Sequence, residues 1–246
     1  MSDMKNKVAI VTGASRGIGA AIAERLGHDG FTIIVNYAGN AALADAVVNK
    51  IEASGGIARA AQADVADPAA VKRMFDATED AFGGVDVLVN NAGIMALSPI
   101  TTTEDADFDN LVSINLKGTF NTMREAGKRL CDNGRIINFS TTVVGLKLEN
   151  YGVYTATKAA VETLTAIMAK EMRGRNITVN AVAPGPTATD LFLNGKSEEL
   201  VARMAKMSPL ERLGTPEDIA GVVAFLAGPD GGWVNGQTLR ANGGVI

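Results

Sequence analysis

Lys7-Val8-Ala9-Ile10-Val11-Thr12-Gly13-Ala14-Ser15-Arg16-Gly17-Ile18-Gly19 is the stretch that decides the fold. Residues 7–12 read as a buried strand, and the helix after it covers 17–26. The glycines between them are spaced G-x-x-x-G-x-G. Glycine has no Cβ, so such a turn can bring backbone N–H groups and a helix N-terminus against a pyrophosphate. Outward from this turn the alternation repeats. Strands are expected at 32–36, 58–62, 85–89, 135–139, 177–182 and 238–240. Helices are expected at 40–53, 68–82, 153–173 and 216–226, with a long helical region before residue 135. The helix at 68–82 is opened by Asp67-Pro68 and stopped by Gly83-Gly84. Near-continuous apolar strands alternating with helices predict an α/β, single-domain, doubly wound parallel sheet over residues 1–246, of Rossmann type, with about seven strands and helices on both faces. In such sheets ligands sit at the carboxyl ends of the strands. Residues 184–208, rich in Gly, Pro, Thr and Met, follow one such end and are expected to form a substrate lid.

Composition narrows the function. The chain has 246 residues, enough to bury roughly 70–75% of its unfolded surface. Hydrophobic residues are 47% and charged ones 20%, which excludes a disordered chain. With 23 Lys plus Arg against 27 Asp plus Glu, the net charge is −4, a poor balance for a general nucleic-acid binder. Cys131 is the only cysteine, so an intramolecular disulfide and a cysteine zinc cluster are excluded. His28 is the only histidine, which argues against a Ser-His-Asp hydrolase or a multi-histidine metal site. Residues 1–7 carry no signal-peptide pattern, and no apolar run approaches a membrane span. The expectation is a cytoplasmic protein with no metal, nucleic-acid or membrane partner.

Three further segments agree with the glycine turn. Asn90-Asn91-Ala92-Gly93 follows the fourth strand, Tyr154-Thr155-Ala156-Thr157-Lys158 lies on the long helix, and Pro184-Gly185 follows the sixth strand. Together, in this order, they resemble the short-chain dehydrogenase/reductase family from Lys7 to Asn242-Gly243-Gly244. The resemblance implies a nicotinamide cofactor held by Gly13, Ser15, Arg16, Gly17, Ile18 and Gly19, by Asn36, Tyr37, Ala38 and Gly39, by Asp64 and Val65, and by Asn91, Ala92 and Gly93. It adds Tyr154, Lys158, Pro184, Gly185, Thr187 and Thr189 to that set. An acid near the end of the second strand would repel a 2′-phosphate. Here that position is Tyr37, and Arg16 supplies a cation to the same pocket, so NADP(H) is expected.

Tyr154 and Lys158 are four apart and share a helix face. A phenol with an ordinary pKa near 10 is a sluggish proton donor and acceptor at neutral pH, and a nearby ammonium is expected to lower that value. The resemblance gives Tyr154 the proton, Lys158 the nicotinamide ribose and Asn115 a relaying water. It also calls for a serine after the fifth strand. Counting back from Gly145 places Thr142 there, with Thr141 or Ser140 as the other registers.

The expected function is an NADPH-dependent reductase of ketones or aldehydes, reversible, and assembled as a homotetramer or homodimer by resemblance. One alternative is a 3-oxoacyl-[acyl-carrier-protein] reductase, with Lys128 and Arg129 as charges for an acidic partner. Another is a non-catalytic NADP(H)-binding sensor or scaffold. His28 and Cys131 are read as having no chemical role. Leu191-Phe192-Leu193 is read as a substrate wall, Met204 and Met207 as lid packing. Met95, Leu97, Val144, Leu148 and Tyr151 are equally pocket or core.

Overall fold

A computed structural model describes residues 7–246. The expectation for the segment before Lys7 lies outside the described residues. Strands β1 (Val8–Val11), β2 (Thr32–Tyr37), β3 (Ile57–Gln62), β4 (Val87–Asn90), β5 (Arg135–Phe139), β6 (Thr178–Pro184) and β7 (Thr238–Ala241) form one sheet in the order β3-β2-β1-β4-β5-β6-β7. Every pairing is parallel. The direction of winding reverses between β1 and β4, and the crevice that ligands use opens at that reversal.

Side chains alternate across each strand and feed two cores. Ala9 and Val11 face α1 (Gly17–His28), α2 (Ala41–Ala53) and α10 (Pro216–Ala227), packing with Ile22, Leu26, Val47 and Val223. Val8 and Ile10 face α3 (Pro68–Phe82), α5 (Thr119–Arg129) and α7 (Gly152–Glu171), packing with Phe75, Met123, Leu130 and Met168. The strands are apolar throughout because both faces are covered. Asp67 accepts from the backbone of Ala69 to cap α3, Pro68 fills its first position, and Gly83 ends it with φ +85°.

The boundaries differ in three informative places. β4 starts at Val87, two residues later than expected, since the Asp86 carboxylate accepts from the backbone of Val8 (2.8 Å) at the strand's entrance. The long helical region is interrupted. Helix α4 (Asp105–Leu111) leads into a π-helical stretch, Val112–Gly118, before α5. Residues 184–208 are more regular than read. They contain α8 (Asp190–Leu193), capped by Thr189, and α9 (Glu198–Ala205), capped by Ser197. The remaining short helix, α6 (Val143–Leu146), follows β5.

Candidate active site

The glycine turn is a strained, braced cradle. Gly13 and Gly17 lie in the left-handed region, at φ +61° and +56°. A Cβ on Gly13 would sit 2.9 Å from the Ala92 Cα, and one on Gly19 would overlap the Gly13 carbonyl and lie 2.5 Å from the Asn91 amide nitrogen. Asn36 and Asn91 hold the turn in place. The Asn36 Oδ1 accepts from the Gly13 backbone (3.2 Å), and its Nδ2 donates to the Ala61 and Ala63 carbonyls. The Asn91 Nδ2 donates to the Thr12 and Gly13 carbonyls, both at 3.0 Å. Gly19→Ala is expected to destabilise the fold by about 1–3 kcal/mol, since the overlap is with backbone. Gly39→Ala, where a Cβ meets nothing within 4 Å, is the matched control with no loss. Thermal unfolding of the two variants checks this.

Beside the cradle lies a cleft of about 450 Å³. It is lined by the residues expected of the turn, of the β2 end (Asn36 to Gly39), of Asp64 and Val65, and of Asn91 to Gly93. Helix α1 begins at the turn with no side-chain cap and no acidic residue in its first turn. Its first N–H groups therefore stay open for an anion, with the helix dipole favouring it. Cradle, open helix end and elongated cleft together fit a dinucleotide pyrophosphate. Arg16 and Tyr37 line one end of the cleft, and no acid stands at the end of β2. Leu43 and Ile114 also line it and had no sequence signal to mark them.

A second cavity, of about 160 Å³, shares Ile18, Asn91, Gly93, Ile94, Thr189 and Leu191 with the first. Tyr154 and Lys158 border it, one turn apart on α7. Pro184, Gly185 and Thr187, expected beside the nucleotide, line this cavity and not the cleft, while Thr189 lines both. Met95, Leu148, Tyr151, Leu191, Phe192, Met204 and Met207 make its walls largely apolar. Leu97, Val144 and Leu193 are not part of it. Asn115 is fully buried within the π-helical stretch. Its Oδ1 accepts from the Ile94 backbone (2.8 Å) and its Nδ2 donates to the Ile94 carbonyl (2.9 Å), so it fixes the loop after β4.

Two expectations are refined here. Thr141 and Thr142 both line the cavity beside Tyr154, and Thr141 pulls the phenol pKa down. Thr142 borders the cavity, yet its hydroxyl donates to the Ala183 carbonyl (3.2 Å) and its backbone N–H to Pro184 (2.9 Å). Ser140 is committed to Glu162. Thr142, the position reached by counting back from Gly145, immediately precedes α6.

The second correction concerns the phenol. Its pKa is pushed up to about 12, mainly by burial, with Thr141 opposing and Tyr151 adding. Burial likewise pushes Lys158 down to about 8. Each site disfavours its own charged form, and the Lys158 ammonium is not among the influences on the phenol. The Lys158 Nζ instead donates to the Phe139 carbonyl at 2.9 Å.

A doubly wound parallel sheet with a glycine cradle at its reversal and a Tyr-x-x-x-Lys helix face beside it defines a Rossmann-type oxidoreductase. Comparison with known proteins narrows that class. The family model described as enoyl-(acyl carrier protein) reductase matches residues 13–246. A short-chain type dehydrogenase/reductase of Picea abies is 47% identical, covering 98% of this chain and 92% of its own. The NADPH-dependent aldehyde reductase-like protein, chloroplastic, of Arabidopsis thaliana is 45% identical over 99% of this chain and 95% of its own. A short-chain dehydrogenase from Burkholderia cenocepacia, solved with NADP, superposes with TM-score 0.93 at 38% identity, covering 98% of each chain. The chain belongs to the short-chain dehydrogenase/reductase family.

Proposed function

We propose that this enzyme is an NADPH-dependent reductase of uncharged, largely apolar ketones or aldehydes, reversible as an alcohol dehydrogenase. One observation carries the reading. Tyr154, Lys158, Thr141 and Thr142 all line an apolar cavity that shares a wall with the nucleotide cleft. The bound cofactor supplies the hydride. The chain supplies everything else. Tyr154, protonated up to about pH 12, gives its proton to the carbonyl oxygen, and the hydroxyl of Thr142, or of Thr141 beside it, bonds the same oxygen. Lys158, held by the Phe139 carbonyl, would bond the cofactor ribose. Asn115 holds the loop at Ile94 and, in this proposal, the water that relays protons. Its placement in a π-helical stretch, a common signature of functional sites, supports that part.

Preference for NADPH rests on Arg16 and Tyr37. Arg16 is exposed, and none of the ion pairs among the described residues uses it. Its guanidinium is free to fork onto a 2′-phosphate. Residues 184–208 act as the lid, supported by Leu191, Phe192, Met204 and Met207 lining the cavity.

Carrier-linked substrates fit less well. Arg129 is occupied by Glu79 (2.6 and 2.8 Å) and Asp76 (2.8 Å), which raise its pKa further. Lys128 approaches Glu125 (3.5 Å). The two charges considered for an acidic partner are thus already balanced. The test is NADPH oxidation over a panel of aryl and alkyl aldehydes, ketones and 3-oxoacyl thioesters. Turnover is expected with the uncharged carbonyls, and a strong thioester preference would overturn the substrate class.

The pH profile has a defined sign. Lys158 holds its charge below about pH 8 in the free enzyme, and Tyr154 holds its proton throughout. For reduction, kcat/KM at limiting NADPH is expected to be level through neutral pH and to fall above about 8. Alcohol oxidation, which needs the phenolate, is expected to rise with pH. A reduction rate that climbs between pH 7 and 9 would contradict these assignments.

The same proposal places the enzyme in the cytoplasm, supported by a single unpaired cysteine. Among the described residues no helix is long and apolar enough to cross a membrane. A homodimer or homotetramer is supported by Phe108, Phe120 and Ile167, exposed on α4, α5 and α7, which light scattering would test.

A further inference from the structure

Three consecutive residues at the end of β5 are each hydrogen-bonded to a residue of α7. The Asn138 Nδ2 donates to the Thr165 hydroxyl (2.9 Å). The Phe139 carbonyl accepts from Lys158 (2.9 Å). The Ser140 hydroxyl donates to the Glu162 carboxylate (2.5 Å). The next residue, Thr141, lines the cavity together with Tyr154. The helix residues fall at 154, 158, 162 and 165, the spacing of one helical face.

Resting on the functional reading above, we propose that Glu162 is a positioning residue for the reaction. Through Ser140 it fixes the end of β5, and with it the Thr141 hydroxyl against Tyr154. Three observations carry this. The Ser140–Glu162 bond is the one member of the seam with a carboxylate acceptor, and its length is that of a charge-assisted bond. Ser140 is buried, so losing Glu162 leaves a hydroxyl without its partner. The bond lies between Phe139, which holds Lys158, and Thr141, which lines the cavity with Tyr154. Glu162 itself does not line the cavity, so its effect is exerted through Ser140 and not by contact with substrate.

The test compares Glu162→Ala, Glu162→Gln, Ser140→Ala and the Ser140→Ala/Glu162→Ala double variant, with Tyr154→Phe as a control. Glu162→Ala is expected to lower kcat about tenfold, the scale of a small misplacement at a reacting centre, with the KM for NADPH within about twofold of wild type. Glu162→Gln keeps an acceptor for the Ser140 hydroxyl and is expected to recover most of kcat. The double variant is expected to be no slower than Ser140→Ala alone, because both changes break one bond. If Glu162→Ala folds poorly, Glu162→Gln and Ser140→Ala still decide the matter. A wild-type kcat in Ser140→Ala, a Glu162→Gln variant as slow as Glu162→Ala, or additive losses in the double variant would each overturn the proposal. Turnover retained by Tyr154→Phe would place the failure in the functional reading instead. A dead Tyr154→Phe beside a fully active Glu162→Ala would place it in the positioning role alone.

Discussion

Replacing Tyr154 by phenylalanine is expected to lower kcat for carbonyl reduction by about a hundred- to ten-thousandfold, the range of a lost general acid. NADPH affinity is expected to stay within about twofold. The substitution removes one oxygen and keeps the ring, which stands edge-on to Tyr151 with centroids 6.4 Å apart. Packing of α7 against the sheet is therefore preserved, and what is lost is the proton. Burial, by holding the phenol protonated to about pH 12, makes Tyr154 a ready donor in the reductive direction and a poor base in the oxidative one until a positive charge is brought to bear. A packing role for Tyr154 predicts no change in kcat. Steady-state rates and a fluorescence titration with NADPH separate the two.

Tyr37→Asp is expected to produce the second large effect, a reversal of nucleotide preference. Tyr37 ends β2 and, like Arg16, lines the cleft. A carboxylate there would stand against the 2′-phosphate, and like charges in such a juxtaposition cost several kcal/mol, about a hundredfold or more in kcat/KM for NADPH. The same carboxylate can accept from the ribose hydroxyls of NADH and raise its use. Arg16→Ala removes only an exposed cation and is expected to cost about tenfold with NADPH and little with NADH. Equal losses with both nucleotides in either variant would mean that these residues hold the turn and do not read the phosphate.

Much of the fold was legible because strand and helix signals agreed with burial. The apolar runs at 32–36 and 135–139 are covered on both faces, so their sequence is not diluted by alternation. The cap at Asp67-Pro68 and the stop at Gly83 are local chemistry and were readable as such. The π-helical stretch around Asn115 was not, because it depends on tertiary contact. Gly118 lies so close to Val65 that a Cβ would come within 2.6 Å of its Cγ2. Helices α8 and α9 were missed because Gly and Asn interrupt the segment, although Ser197 before Glu198-Glu199 is a capping signal.

The site was legible in its parts and less so in its register. Tyr154 and Lys158 are four apart on a helix, and that spacing fixes their shared face without a structure. The choice between Thr141 and Thr142 was not readable, because loop register depends on where α6 starts, which the sequence leaves open. The assumed direction of the phenol shift failed for an electrostatic reason. Burial acts on Tyr154 and Lys158 alike and is the leading influence on each, and the Lys158 Nζ is bonded to the Phe139 carbonyl. Glu162 carried no signal, since its importance comes from meeting Ser140, 22 residues away in the chain.

The most direct test of the account is a single-turnover reaction of the enzyme with NADPH deuterated at the transferring position and an uncharged aryl aldehyde. The alcohol is then analysed by mass spectrometry. The account predicts one deuterium on the carbinol carbon and burst formation of NADP⁺ in wild type, with that burst lost in Tyr154→Phe. An enzyme that binds NADPH tightly yet transfers no deuterium to any uncharged aldehyde or ketone would contradict it.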